Sequence, residues 1–193
     1  MNFLAHLYLS CGDDDLLVGN FIADFISNKE LTNYPDQVVE GIMLHRAIDS
    51  YTDSHPIVRK SVSRLHESQG KYSPVVMDIM FDYLLGRSWK IYSGVTLEDF
   101  ATQVYEIFSN RMSEFPDKLR KALPFMIKNK FLESYATEEG LRFTLEKMDE
   151  RTKFPSDFPS AIAVLNENLE LFENEFNQFF PDAISFVDEK CNC

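Results

Sequence analysis

Cysteine is scarce: three in 193 residues, two of them in the terminal CNC, are too few and too crowded for a disulfide framework. No histidine or further cysteine stands near that tail to complete a tetrahedral zinc site, so Cys191 and Cys193 read as a frayed end. Long apolar runs are missing too; none approaches the ~20 residues of a bilayer span. The opening MNFLAHLYLS has neither a basic n-region nor a small-residue cleavage site, and the sequence therefore predicts a cytoplasmic protein without a membrane partner. Positive charge is in deficit, with 19 Lys and Arg against 31 Asp and Glu. The resulting net charge of −12 argues against a nucleic-acid binder, because phosphate contacts need a basic footprint. Low-complexity tracts, internal repeats and linkers are also absent, so nothing divides residues 1–193 into more than one domain.

What is present is 45% hydrophobic side chains at helical period, enough for one substantial core. The pattern predicts an all-α fold, a single-domain bundle of about eight helices, with only the first few residues resembling a strand. Prolines, glycines and capping residues set the expected boundaries. Helices are predicted from the Asp13-Asp14-Asp15 cluster to about Asn28, from Pro35 to just before Pro56, from Pro56 to Gln69, and from Pro74 to about Tyr92. Further helices run from the Thr96 cap to about Glu114, from Pro116 with a bend at Pro124, from Thr137 to Thr152, and, after the loop FPSDFPS, from Pro159 toward Phe180 before Pro181.

Several of these helices turn charges toward the core. In GIMLHRAIDSYTDSHP a wheel of about 100° per residue centres the more apolar face on His45, with Gly41, Asp49 and Thr52 close to it. A buried carboxylate and imidazole need compensation, which a cation shared by His45 and Asp49, or a hydrogen-bonded His–Asp pair, would supply. Asp78 and Asp82 repeat the four-residue spacing in PVVMDIMFDYLLGRSW, a helix apolar nearly all round, where two carboxylates repel unless a cation separates them. Asp24 shares a face with Asn20, Leu17 and Phe21, and His6 interrupts the apolar run Phe3-Leu4-Ala5. His55 and His66 read as structural or surface residues.

Imidazole and carboxylate donors without cysteine suit Mn²⁺, Mg²⁺, Fe²⁺ or Zn²⁺, and that pattern points to hydrolysis. Arg46, at the edge of the same face, is placed to hold a phosphate oxygen or to pair with Asp49 or Glu40. Charge is unevenly spread: Lys118, Arg120, Lys121, Lys128 and Lys130 form a basic stretch without acids, whereas Val164 to Glu189 carries acids alone.

Four blocks in order, MNFLAHLYLS, GNFIADF, GIMLHRAIDSYTD and DIMFDYLLGRSW, resemble the acyl carrier protein phosphodiesterases, also called acyl carrier protein hydrolases. The likeness is close over the first half and looser toward the C-terminus. It implies an HD-phosphohydrolase-like, metal-dependent phosphodiesterase that releases 4′-phosphopantetheine from holo acyl carrier protein, with manganese as cofactor (Mg²⁺ or Fe²⁺ as alternatives). Carried over by position, it implies His6, Asp24, His45, Asp49, Asp78 and Asp82 as the metal and general-base set, with Asp24, Asp49 and Arg46 in catalytic roles. The four histidines precede Leu, Arg, Pro and Glu, so the adjacent His-Asp signature is rearranged, and the family's second N-terminal histidine position is Tyr8.

A strongly acidic carrier-protein partner would need a local basic surface, with Lys118–Lys130 the first choice and Arg59, Lys60, Arg64 and Lys71 the second. The rival functions are a metal-dependent phosphohydrolase of nucleotides or other small phosphoesters, and a non-enzymatic helical interaction module with a buried polar network.

Overall fold

Chain punctuation places the long helices close to where the sequence predicts them. The structure is a computed structural model that describes residues 1–154 and 156–193. Its helices are α1 (Phe3–Tyr8), α2 (Asp14–Ile22), α3 (Asp36–Ser54), α4 (Pro56–Gln69), α5 (Ser73–Arg87), α6 (Trp89–Tyr92), α7 (Leu97–Asn110), α8 (Asp117–Lys128), α9 (Phe131–Ser134), α10 (Glu138–Asp149), α11 (Ala161–Glu167) and α12 (Leu169–Cys191). No strand occurs among the described residues, and none of their helices is long and apolar enough to cross a membrane. Asp13 caps α2 by accepting from the Asp15 and Leu16 amides, and Thr96 and Thr137 cap α7 and α10 in the same way. Of the FPSDFPS connection, residue 155 lies outside the described residues.

Four expectations need correction. The opening segment is a helix rather than a strand. The α2 helix stops at Ile22 instead of reaching Asn28, because the chain tightens into a 3₁₀ turn, Ala23–Phe25, and then a Ser27–Glu30 turn. The predicted last helix is broken at Asn168 into α11 and α12, and α12 runs through Pro181 to Cys191. A mid-helix proline costs about 3 kcal/mol, but Phe172, Phe176, Phe179 and Phe180, with Ala183 and Val187 beyond the proline, are buried along one side of α12, and that burial outweighs it. The extension carries the C-terminus back to the turn after α1, where Cys193 is disulfide-bonded to Cys11 across a Cα–Cα distance of 5.8 Å, so the tail is tied down rather than frayed.

Two packing features hold the helices in place. Helix α2 lies on α3 at a crossing of Gly19 over Gly41. A Cβ on Gly19 would overlap the Val38 carbonyl oxygen and stand 2.8 Å from the Gly41 Cα, and one on Gly41 would stand 2.5 Å from the Leu16 carbonyl oxygen. These are backbone obstacles that no rotamer change relieves. On the other side of the core, Phe81 of α5 packs against Phe176 and Phe179 of α12, with ring centroids 5.5 and 5.4 Å away.

Gly19→Ala is expected to destabilise the fold by about 1–3 kcal/mol, the usual cost of overpacking. For a chain of this size that lowers the melting temperature by roughly 2–4 °C per kcal/mol. An unchanged melting curve would mean that α2 and α3 are not in backbone contact.

Candidate active site

Helix α3 brings His45 and Asp49 to one face, as the wheel predicts. His45 is buried and Asp49 is half-buried. The His45 Nδ1 lies 2.9 Å from the Asn20 carbonyl oxygen and 3.1 Å from its Oδ1, both acceptors, so Nδ1 carries the proton and Nε2 presents its lone pair. That Nε2 faces Asp49 Oδ2 at 3.2 Å and Asp24 Oδ1 at 3.3 Å. A lone pair cannot face two carboxylates without a positive charge between them, so the position requires a proton or a metal cation. A ring nitrogen fixed by a carbonyl on its far side is how metal-bound imidazoles are held, and the residues present therefore fit a divalent ion.

His6 of α1 stacks on the His45 ring with centroids 3.8 Å apart. Its Nε2 is 3.0 Å from Asp49 Oδ1 and 3.1 Å from the Met1 carbonyl oxygen. Facing two acceptors, that nitrogen is the protonated one, and Nδ1 is buried without a partner among the described residues. His6, His45 and Asp49 offer donor atoms within 4.8 Å of one another. Asp24 joins them from the 3₁₀ turn after α2, with its side chain 66% exposed, and so forms the open side of the site.

The other two predicted acids lie elsewhere. Asp78 sits 2.9 Å from the Met1 α-nitrogen, which also lies 3.5 Å from Asp49, so it touches the cluster only through that ammonium. Asp82 is fully buried and accepts from the amides of Asn2 (3.2 Å), Leu4 (2.7 Å) and Ala5 (3.2 Å). It caps α1 from a distant helix and lies outside the group formed by His6, His45 and Asp49, so the four-residue spacing of Asp78 and Asp82 places both carboxylates against the first residues of the chain. Arg46 pairs with neither Asp49 nor Glu40. It donates to Asn28 Oδ1 at 2.7 Å and to the Ile26 carbonyl at 3.4 Å. The Tyr8 hydroxyl donates to the Tyr92 carbonyl at 2.6 Å, outside the site. His55 lies 3.3 Å from Asp182, and His66 is exposed.

Sequence reasoning missed Asn20. It is 1% exposed, donates to the His6 carbonyl at 2.7 Å and to Ser10 Oγ at 3.1 Å, and accepts from His45. The signal was available: Asn20 and Asp24 are four apart on one helical face, the spacing that drew attention to His45 and Asp49.

The two basic clusters differ. Lys60 and Arg64 are committed to the buried Glu175 of α12 at 3.1 and 2.8 Å, Arg59 donates to the Asp53 carbonyl, and Lys71 lies over the Phe154 ring. In α8, Arg120 pairs with Asp117, and Lys130 just beyond the helix pairs with Glu98, whereas Lys118, Lys121 and Lys128 are exposed and make no ion pair among the described residues.

A sequence profile described as acyl carrier protein phosphodiesterase matches residues 1–183. The acyl carrier protein phosphodiesterase of Yersinia pestis is 28% identical over 191 residues, which cover 98% of this chain and 99% of that one. Those of Salmonella paratyphi A and Salmonella dublin are 30% identical over the same share of each chain. No solved structure matches.

Electrostatics follows from the geometry. Burial disfavours the charged form of His45, but hydrogen bonds and charge from Asp24 and Asp49 outweigh it and raise the pKa to about 9. His6 goes the other way, lowered to about 4 by burial against the opposing bond to Asp49. The His45 bond holds Asp24 below the usual carboxylate range, and the two histidines hold Asp49 below it despite burial. Burial pushes Asp82 up to about 7, against the pull of the three amides. A histidine whose folded pKa is raised stabilises fully below its unfolded value and loses that contribution as pH rises through the folded one. Metal-free protein is therefore expected to lose stability between about pH 6.5 and 9, and His45→Asn to flatten that decline in chelator-containing melts.

Proposed function

The chain belongs to the acyl carrier protein phosphodiesterase family, and on that premise we propose that it hydrolyses the phosphodiester between 4′-phosphopantetheine and a serine of holo acyl carrier protein. Hydrolysis breaks the bond from phosphorus to the serine oxygen. Water gives its hydroxyl to phosphorus and its proton to the leaving alcohol, and the products are apo carrier protein and 4′-phosphopantetheine. The observation that carries this reading is the convergence of His6, His45 and Asp49 from two helices, with Asp24 against the outer nitrogen of His45 on the side open to solvent.

In this reading His45 and Asp49, with Asp24 on the open side and His6 in its Nδ1-protonated form, would hold a divalent ion, Mn²⁺ by family likeness. A bound ion of this kind polarises a phosphoryl oxygen and lowers the pKa of a water. Asp24, exposed and held as a carboxylate by His45, takes the proton of the attacking water. Asp49 accepts from His6 and faces the outer nitrogen of His45, which fixes the planes of both rings. Arg46 meets no carboxylate among the described residues, so its charge is available to a phosphate oxygen. A cytoplasmic setting belongs to the same reading.

Docking of an acidic carrier protein falls to α8. Lys118, Lys121 and Lys128 lie within about 80° on the helix surface, and Phe125, 64% exposed, stands among them. In the cluster around α4, Lys60 and Arg64 are spent on Glu175, Arg59 on the Asp53 carbonyl and Lys71 on the Phe154 ring, so it contributes little.

Incubation of the protein with holo acyl carrier protein and Mn²⁺, followed by mass measurement, is expected to show the carrier losing its prosthetic group, and excess chelator to stop the loss. Asp49→Asn should lower kcat/KM by at least ~100-fold, the upper end for losses just outside a metal's own ligands. An unchanged carrier with turnover of a small phosphoester would transfer the site to the small-phosphoester class. In the same assay, Lys121→Glu with Lys128→Glu should reduce kcat/KM for the carrier and weaken its salt dependence, while hydrolysis of a small diester is unaffected; equal losses on both substrates would remove α8 from docking.

A further inference from the structure

One exposed asparagine ties the charge of Arg46 to the position of Asp24. Asp24 lies in the turn Ala23–Phe25, from which the chain continues through buried Ile26 to exposed Asn28. Arg46 follows His45 on α3. One terminal nitrogen of its guanidinium donates to Asn28 Oδ1 at 2.7 Å, and the other to the Ile26 carbonyl at 3.4 Å. The same segment is also pinned to itself, with the Ser27 amide and hydroxyl donating to Glu30 at 2.9 and 2.6 Å. The guanidinium therefore fastens an already stiffened turn to α3, one residue along from the histidine that Asp24 faces.

The chemistry of the acceptors is informative. Arg64, Arg87, Arg111, Arg120 and Arg142 each meet a carboxylate, Arg59 and Arg151 meet none but are exposed, and Arg46 alone is half-buried without one among the described residues. Arg46 is held only by an amide oxygen, a carbonyl and the Met43 sulfur. Aspartate at position 28 would orient the guanidinium equally well but cancel its charge, whereas asparagine orients it and leaves the charge intact.

We propose that Asn28 is a positioning residue: its side-chain oxygen fixes Arg46 against the Asp24 turn without neutralising it, so that a full positive charge stands ready for a phosphate oxygen. The phosphodiesterase reading enters only in naming the anion as a phosphodiester.

The test compares wild type with Asn28→Ala, Asn28→Asp, Arg46→Ala and the Asn28→Ala/Arg46→Ala pair. Two readouts need no turnover: amide hydrogen exchange over residues 24–30, and binding of inorganic phosphate by calorimetry. Asn28→Ala and Arg46→Ala should each speed exchange in this segment, and the double variant should be no faster than Arg46→Ala. Asn28→Asp should keep wild-type exchange yet bind phosphate about 10-fold or more weakly, the worth of one charge-assisted bond, and no merely structural role separates those two effects. The proposal is overturned if Asn28→Ala leaves exchange unchanged, if its effect adds in full to that of Arg46→Ala, if wild type binds no phosphate, or if Asn28→Asp binds it as wild type does. A protein that shows the expected exchange and phosphate pattern but leaves holo carrier protein intact retains the clamp and loses the substrate.

Discussion

Two helices can lie backbone on backbone only where neither carries a Cβ at the crossing, and the site depends on one such contact. Gly19 and Gly41 let α2 settle onto α3 at a separation that any other residue would widen. Asn20, one residue beyond Gly19, reaches the His45 ring, and the turn after α2 delivers Asp24 to the other nitrogen of that ring. A small increase in the separation would break both contacts at once, because both sides of the imidazole are engaged from the α2 segment. The glycines thus set the register of the chemistry as well as the density of the packing.

The two histidines show how one carboxylate can serve opposite electronic demands. His45, with its proton committed to Asn20, offers a lone pair; His6, stacked on it, offers a proton. Asp49 accepts from one and faces the other. Neither ring is free to exchange roles, since the fixing groups are a buried asparagine on one side and a backbone carbonyl on the other. Such a polar network inside an apolar fold is costly unless every member is satisfied. Its one unpartnered atom, His6 Nδ1, lies in the component whose protonation must change for it to act as a ligand.

Much of this was legible in the residues, and what was not has local causes. The all-helical fold followed from period and punctuation, with α4 ending where Gln69 meets Gly70 and α7 starting at its threonine cap. Periodicity also turned His45 inward. It misled at Pro181, where local propensity stops a helix that aromatic burial continues, and at Asp82, where the i to i+4 rule reports a shared face but not which partner lies opposite. Backbone amides are invisible to residue-type patterns, so a carboxylate that caps a helix far away in sequence looks like one waiting for a cation. Cys11 and Cys193 were obscure for a related reason, because their meeting depends on the full length of α12.

The capping of α1 by Asp82 has a consequence of its own. A six-residue helix has no independent existence in water, and the amides at the start of this one are satisfied from a residue up to 80 positions away. His6 therefore takes its place only when α5 is already seated in the core, so an incompletely assembled chain displays the α3 pair alone. The cluster is thus a readout of completed assembly, and a fault in the hidden face of α5 would displace His6 without altering any other member.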